Sequence, residues 1–321
     1  MKKYLEKYAI YIVLVALILI IGSLNHNFLS YRNLINILII ASVRVLIALG
    51  TTGPLITRGT DLSAGRMVGL SACISASLLQ KADYSYKFYE TDMHLPLIIP
   101  ILIAITATGF LGLINGVSVA YFNVPPFIAT LGMMVIVYGI SLIYTNAQPI
   151  GGLREDFTNV ASGSTFFIPN AVLIMLVVLL AFWFLLNKTV FGKYIYAIGG
   201  NPETAEVSGI NVRSALLKIY TLAGVLYGLA GVLLAARTGG ATSTYGTMYE
   251  LDAIAACTIG GVSTWGGIGT VSGVLTGVLI FEVLNNGLVI LGVSAYWQQI
   301  IKGVIIIIAV ALDIRKYLTK K

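Results

Sequence analysis

Charge is scarce in this chain. Only 10% of its 321 residues are Asp, Glu, Lys or Arg, against roughly 25% in a soluble domain, and the shortage excludes water as the main solvent. Histidine and cysteine number two each, too few for a structural zinc centre or a disulfide framework. Cys73 and Cys257 lie in apolar stretches and read as buried thiols. His26 and His94 fall in loops, away from any metal-ligand partner. A G-x-x-x-x-G-K-[ST] phosphate loop is missing, because Gly192-Lys193 is followed by Tyr194 and not by a hydroxyl residue. Neither H-E-x-x-H nor G-x-S-x-G occurs. No catalytic residue and no metal ligand is therefore assigned, and if ATP drives this protein, another chain binds it.

What the chain has in abundance is apolar sequence, 58% of the whole. A membrane helix needs about 20 mostly apolar residues to cross a hydrocarbon core of about 30 Å. Ten such spans are expected, near 8–24, 33–57, 62–80, 96–122, 126–145, 169–187, 214–236, 249–263, 268–290 and 297–314. The fold class is thus all-α integral membrane, a single transmembrane domain over 1–321. The apolar run behind Lys2, Lys3 and Lys7 reads as an uncleaved first span, since no A-x-A-like site follows it.

An even number of crossings puts both termini on one side, and basic residues mark the cytoplasmic one. That side would hold Lys2, Lys3, Lys7, Arg58, Arg66, Lys188, Lys193, Arg213, Lys218, Arg315, Lys316, Lys320 and Lys321, the other only Arg32, Lys81, Lys87, Arg154, Arg237 and Lys302. Both termini are expected in the cytoplasm. The net charge of +7 then reflects topology in a lipid bilayer, not nucleic-acid binding.

Two regions depart from plain spans. One is the break near 58–66, Gly59-Thr60-Asp61-Leu62-Ser63-Ala64-Gly65; the other, 249–269, pairs a short apolar run with Gly260, Gly261, Gly266, Gly267 and Gly269. Non-helical backbone at membrane depth is tolerated only inside protein or beside water, and interrupted spans point to a transport pathway. Thr60, Asp61 and Ser63 are expected to line its cytoplasmic part. Glycines spaced along one face, Gly109, Gly112 and Gly116, Gly224, Gly228 and Gly231, and Gly269, Gly273 and Gly277, are expected to pack helices closely.

Arg44 falls near the middle of the second span, where an unpaired cation costs at least about 2.5 kcal/mol. Glu282 is its expected partner and Asp252 the alternative. The inner segment 188–213 contains a short punctuated helix: Asn201 suits the cap, Pro202 the first position, Glu203 the positive end of the dipole, and Gly209 the stop.

At these segments the sequence resembles the permease subunits of the ribose and galactose branch of ATP-binding-cassette importers. The likeness rests on Gly59-Thr-Asp-Leu-Ser-Ala-Gly65, Pro126-Phe-Ile-Ala-Thr-Leu-Gly132, Gly199-Gly-Asn-Pro-Glu-Thr-Ala205 with Ser208-Gly-Ile-Asn-Val212, and Leu251-Asp-Ala-Ile-Ala-Ala256 with Gly260-Gly-Val-Ser263. Within the branch, Ser42-Val-Arg44, Met248-Tyr-Glu-Leu-Asp252 and Ala309-Val-Ala-Leu-Asp313 resemble the galactose/methyl-galactoside permeases. The resemblance implies a homodimeric pathway in a bacterial inner membrane, a cytoplasmic ATPase that carries ATP and magnesium, and an extracytoplasmic sugar-binding protein. It also implies that Asn201, Pro202, Glu203, Thr204, Ala205, Ser208 and Gly209 form the contact with the ATPase. Neutral polar groups for a passing sugar are then Asn115, Thr130, Asn285 and Asn286. Ribose or another monosaccharide is an alternative substrate. An ion-coupled carrier using Asp61 and Glu282 is a second alternative, but it gives the 200–212 helix no purpose.

Overall fold

In a computed structural model of the protein, residues 2–91 and 94–318 are described; Lys320 and Lys321 of the charge count lie outside the described residues. Among those described, the chain is helical almost throughout. In order come α1 (Lys2–Leu24), α2 (Tyr31–Ile56), α3 (Ala64–Leu78), α4 (Ile98–Ala120), α5 (Pro126–Thr145), α6 (Glu155–Ser162) and α7 (Asn170–Lys188). They are followed by α8 (Val190–Gly200), α9 (Pro202–Val207), α10 (Val212–Thr238), α11 (Tyr249–Ile259), α12 (Val271–Ile290) and α13 (Ala295–Leu318). A 3-10 turn (His26–Leu29) joins α1 to α2, and β1 (Ser164–Thr165) pairs antiparallel with β2 (Ile168–Pro169) ahead of α7. Six helices, α2, α4, α5, α7, α10 and α12, are long and apolar enough to cross a membrane; the apolar parts of α1, α3 and α13 are shorter.

The core is built around α10. Of its most apolar window 78% is buried, against 22% for α5, so α10 is the axis and α5 belongs to the periphery. Glycine lets α4 reach that axis. A Cβ placed at Gly224 would stand 2.3 Å from the Thr108 carbonyl oxygen, and one at Gly112 would stand 2.3 Å from the Tyr220 carbonyl oxygen. On the neighbouring face α3 packs equally tightly, with the Ser71 hydroxyl donating to the Gly228 carbonyl at 2.6 Å. The third glycine set joins α12 to α11, where a Cβ at Gly277 would meet the Ala256 carbonyl at 2.0 Å. In lipid, where apolar surface gives helices no reason to prefer each other over acyl chains, such backbone proximity is a main source of attraction.

Both expected breaks are present. α2 contains Pro54 and ends at Ile56; Arg58 then takes a left-handed conformation at φ 64° and the Gly59 amide donates back to the Pro54 carbonyl at 2.8 Å. The second break is sharper. α11 has 11 residues, which at about 1.5 Å per residue covers only about half of a hydrocarbon core about 30 Å thick. Gly261, Gly266 and Gly267, all at positive φ, carry the chain from α11 to α12. The backbone before α11, residues 239–248, has no regular helix. It starts at Ala241, paired with Ile150, and passes along α3 as far as that helix's first turn, so that a Cβ on Gly69 would meet the Tyr245 carbonyl at 2.4 Å and one on Gly65 the Gly246 carbonyl at 2.1 Å.

These glycine contacts generate a first prediction. Gly224→Leu presses a side chain into backbone that has no room to move, and overpacking of this kind costs about 1–3 kcal/mol. The melting temperature of the detergent-purified protein should fall. Gly132→Leu on α5, where a new Cβ meets nothing within 4 Å, should leave it unchanged.

Candidate translocation and coupling sites

Arg44, on the middle of α2, is held by carboxylates from two other helices. Its Nη1 donates to Asp252 Oδ2 at 2.5 Å, and its Nε lies 3.5 Å from Glu282 Oε1. The guanidinium lies over the Tyr249 ring, 3.8 Å from the centroid. Lys302 on α13 completes the set, with Nζ 3.6 Å from Asp252 Oδ2. Two cations and two carboxylates from α2, α11, α12 and α13 therefore neutralise each other. The sequence reading put Glu282 first; instead Asp252 makes the shorter contact and Glu282 the longer. The reason is the break: α11 begins beside Arg44, and a carboxylate in the first turn of a helix is favoured by the dipole. Lys302, counted among the outer charges, belongs to this cluster inside the bundle.

The Asp61 break is a second polar centre. Asp61 accepts from the Ser63 amide at 3.0 Å and the Ser63 hydroxyl at 2.6 Å. Asn115 of α4 donates to Ser63 Oγ at 2.9 Å. Thr130 of α5 donates to the Thr60 carbonyl at 3.1 Å and accepts from the Leu62 amide at 3.1 Å. Five of the expected pathway residues, Thr60, Asp61, Ser63, Asn115 and Thr130, thus meet in one network that fastens the broken strand of chain to α4 and α5. Asp61 and Asn115 are each 1% exposed and Ser63 and Thr130 are fully buried, so in this conformation the network faces protein and only Thr60 is partly open. Asn285 and Asn286 are half-buried on α12. Asn286 exchanges two amide hydrogen bonds of 2.9 Å with Asn33 at the start of α2, a contact that sequence reasoning missed.

The segment 188–213 holds a second helix, α8, ahead of the expected one. Thr189 caps α8 by accepting from the Gly192 amide at 3.2 Å. In α9, Asn201 accepts from the Thr204 amide at 3.0 Å, Pro202 opens the helix, the Ser208 hydroxyl donates to the Thr204 carbonyl at 2.7 Å, and Gly209 turns at φ 87°. Glu203, Thr204 and Glu206 are exposed. Ala205 is not: it is buried against Ile198 and Ala215, so it holds α9 to α8 and α10. The apolar side chain presented outward is Val207, 90% exposed.

Arg58 ties this elbow to the break. Its Nε donates to the Gly199 carbonyl at 2.8 Å and its Nη2 to the Gly200 carbonyl, where the C-terminus of α8 favours a cation. The Gly267 amide donates to the Ile56 carbonyl and Tyr196 Oη to the Gly269 carbonyl, both at 2.8 Å. Asp313 of α13 closes the same glycine loop, accepting from the Thr264 amide and hydroxyl at 3.0 Å. The end of α8, the end of α2 and the 260–270 loop are one hydrogen-bonded unit. At the opposite end of the bundle an open cavity of about 720 Å³ is lined by residues that include Lys81, Asp83, His94, Arg154 and Asp156.

A multi-pass bundle with a broken helix, an internally neutralised charge cluster and an exposed elbow is the arrangement of a membrane permease. Residues 33–310 match the family described as branched-chain amino acid transport system / permease component, and the chain belongs to this family. It is 52% identical, over 99% of its length and 97% of the relative's, to the galactose/methyl galactoside import permease protein MglC of Escherichia coli strain K12. Against the protein of the same name from Haemophilus influenzae identity is 49%, over 99% of this chain and 96% of the relative. The ribose import permease protein RbsC of Escherichia coli strain K12 is 40% identical over 98% and 96%. No solved structure matches this chain.

The charge cluster carries its own prediction. Removing one member of a buried pair leaves an uncompensated charge and costs about 3–5 kcal/mol. Arg44→Ala should therefore sharply lower the yield of folded protein. Arg44→Lys, which keeps the charge but cannot fork between Asp252 and Glu282, should be intermediate by size-exclusion recovery. Glu282→Gln should be milder than Asp252→Asn, in the order of the two distances.

Proposed function

We propose that the chain forms, with a second copy of itself, the translocation pathway of an ATP-driven importer for galactose and methyl galactoside. The observation that carries this is the 52% identity with the Escherichia coli galactose/methyl galactoside permease over nearly the whole of both chains. Energy enters from a cytoplasmic ATPase that holds ATP and magnesium, and an extracytoplasmic sugar-binding protein delivers the substrate. The protein lies in a bacterial inner membrane with both termini in the cytoplasm. Ten crossings fit this orientation: α1, α2, α3, α4, α5, α7 and α10, then 239–259 as an irregular leg plus α11, then α12 and α13. The α8–α9 elbow is the coupling contact, since it stands out from the bundle on the side where Arg58 links it to the end of α2. Asp61, Ser63, Asn115 and Thr130 fasten the cytoplasmic part of the pathway wall, and Thr60 is the partly exposed member of the set.

Ribose is the second substrate reading, supported by the 40% identity with the ribose permease. Uptake of labelled galactose, methyl galactoside and ribose by a strain lacking its own permeases, with and without this chain, separates the two. Methyl galactoside uptake should depend on the chain, and uptake of ribose alone would overturn the assignment.

Coupling is tested on the exposed face of α9. Val207→Asp and Glu206→Lys should weaken ATPase binding in a pull-down and uncouple hydrolysis from uptake in the reconstituted complex, with membrane insertion intact. Ala205→Trp acts differently, because it disrupts the packing of α9 on Ile198 and Ala215 and should destabilise the elbow itself. Unchanged coupling in both exposed-face variants would mean that the drive enters elsewhere.

A further inference from the structure

The segment 241–248 reads Ala-Thr-Ser-Thr-Tyr-Gly-Thr-Met, a run of hydroxyl residues that looks like a surface loop. The structure places it elsewhere. It leaves the Ile150 pairing at Ala241 and descends beside α3 until Gly246 packs on Gly65, at the end of α3 that adjoins the Asp61 break. The residues of α3 that it passes are mostly buried, so the leg lies within the bundle's depth. Thr244, Thr247 and Met248 are nevertheless exposed. Irregular backbone that is open at membrane depth cannot face lipid; it faces either other protein or water.

Three features favour water. Of the leg's three exposed residues, Thr244 and Thr247 carry hydroxyls and only Met248 is apolar, so its open side is mostly polar. The Thr242 and Thr244 hydroxyls lie 2.9 Å apart, and Thr247 Oγ1 donates to the Thr244 carbonyl at 2.6 Å, so each threonine keeps free lone pairs on its exposed side. Beside Gly65, Arg66 lies over the Tyr138 ring at 4.1 Å from its centroid, and its Nη1 is buried without a hydrogen-bond partner within the protein, a donor that water at this depth would satisfy. Half-helices that begin inside a membrane, as α11 does, commonly mark where a solute is met.

We infer that residues 242–248, with Arg66 and Tyr138, line the water-filled stretch of the pathway and offer its polyhydroxylated solute a ladder of weak hydroxyl contacts. This rests on the reading of the chain as a sugar importer and adds where the sugar passes. Hydroxyls donate and accept as sugars do, and several weak sites release a solute faster than one strong site.

The test places single cysteines at Thr244 and Thr247 in the complete importer, where Cys73 and Cys257 are buried and give little background. A membrane-impermeant methanethiosulfonate reagent added from outside should modify both, methyl galactoside should slow the modification, and modification should abolish uptake. Val177→Cys, on the exposed face of α7, should stay unmodified, and Tyr86→Cys on the outer loop should react freely. Protection of both threonine positions in every nucleotide state, while Tyr86→Cys reacts, would overturn the inference. So would a spontaneous disulfide between two copies at position 247, which would make the leg a dry interface, or modification without loss of uptake. Uptake of methyl galactoside, galactose and ribose is measured first on the unmodified variants. Reactive cysteines in a protein that moves none of these sugars would leave the water-lined leg standing and overturn the sugar reading alone.

Discussion

A guanidinium placed midway along an apolar helix has to be neutralised by its own protein, and the architecture follows from how Arg44 is met. Its carboxylates come from different helices: Asp252 lies on α11 and Glu282 on α12, with Lys302 of α13 balancing the second negative charge. Four helices are therefore fixed around one point. A full-length helix in place of α11 would carry Asp252 within a continuous wall of carbonyls and amides. Starting α11 at this depth instead puts the positive end of its dipole beside Asp252 and Glu250, both in its first turn. The short helix thus meets the electrostatic need that Arg44 sets.

The opposite side of the bundle is held by close backbone packing. α10 is approached by α4 through Gly112 and Gly224, and by α3 through Gly231. Between these two systems lies the Asp61 network, which joins the start of α3 to α4 and α5 without an ion pair. Arg58, three residues earlier, reaches to α8. The elbow that faces the cytoplasm under the proposed orientation is thus hydrogen-bonded to a residue that stands three positions along the chain from Asp61 of the buried network.

The six long apolar helices were legible because crossing lipid demands long apolar runs, and both breaks were legible because glycine and aspartate are otherwise costly there. The class of Arg44's partners was legible from charge alone. Their order was not, since it depends on where α11 begins in space. Residues 239–248 read as an outer loop because threonine and glycine have no period that separates a loop in water from a leg inside a bundle. Arg58 and Lys302 were absorbed into a count of basic residues, which registers sides of the membrane and not contacts. Ala205 looked like a docking residue, yet on a six-residue helix the buried side is decided by what the neighbouring helices present, here Ile198 and Ala215.

The cluster around Arg44 also bears on how such a chain is made. α11 is too short and too acidic at its start to enter a bilayer as an independent span, so it has to be carried in by its neighbours. Arg44 is synthesised about two hundred residues before Asp252, and Lys302 fifty residues after it. Until α13 emerges, one carboxylate of the four-charge set lacks its counter-ion, and the last span closes the electrostatic account of the second. A chain cut short before Lys302 would retain every element of α10 and α11 yet lack the cation that α13 brings to Asp252.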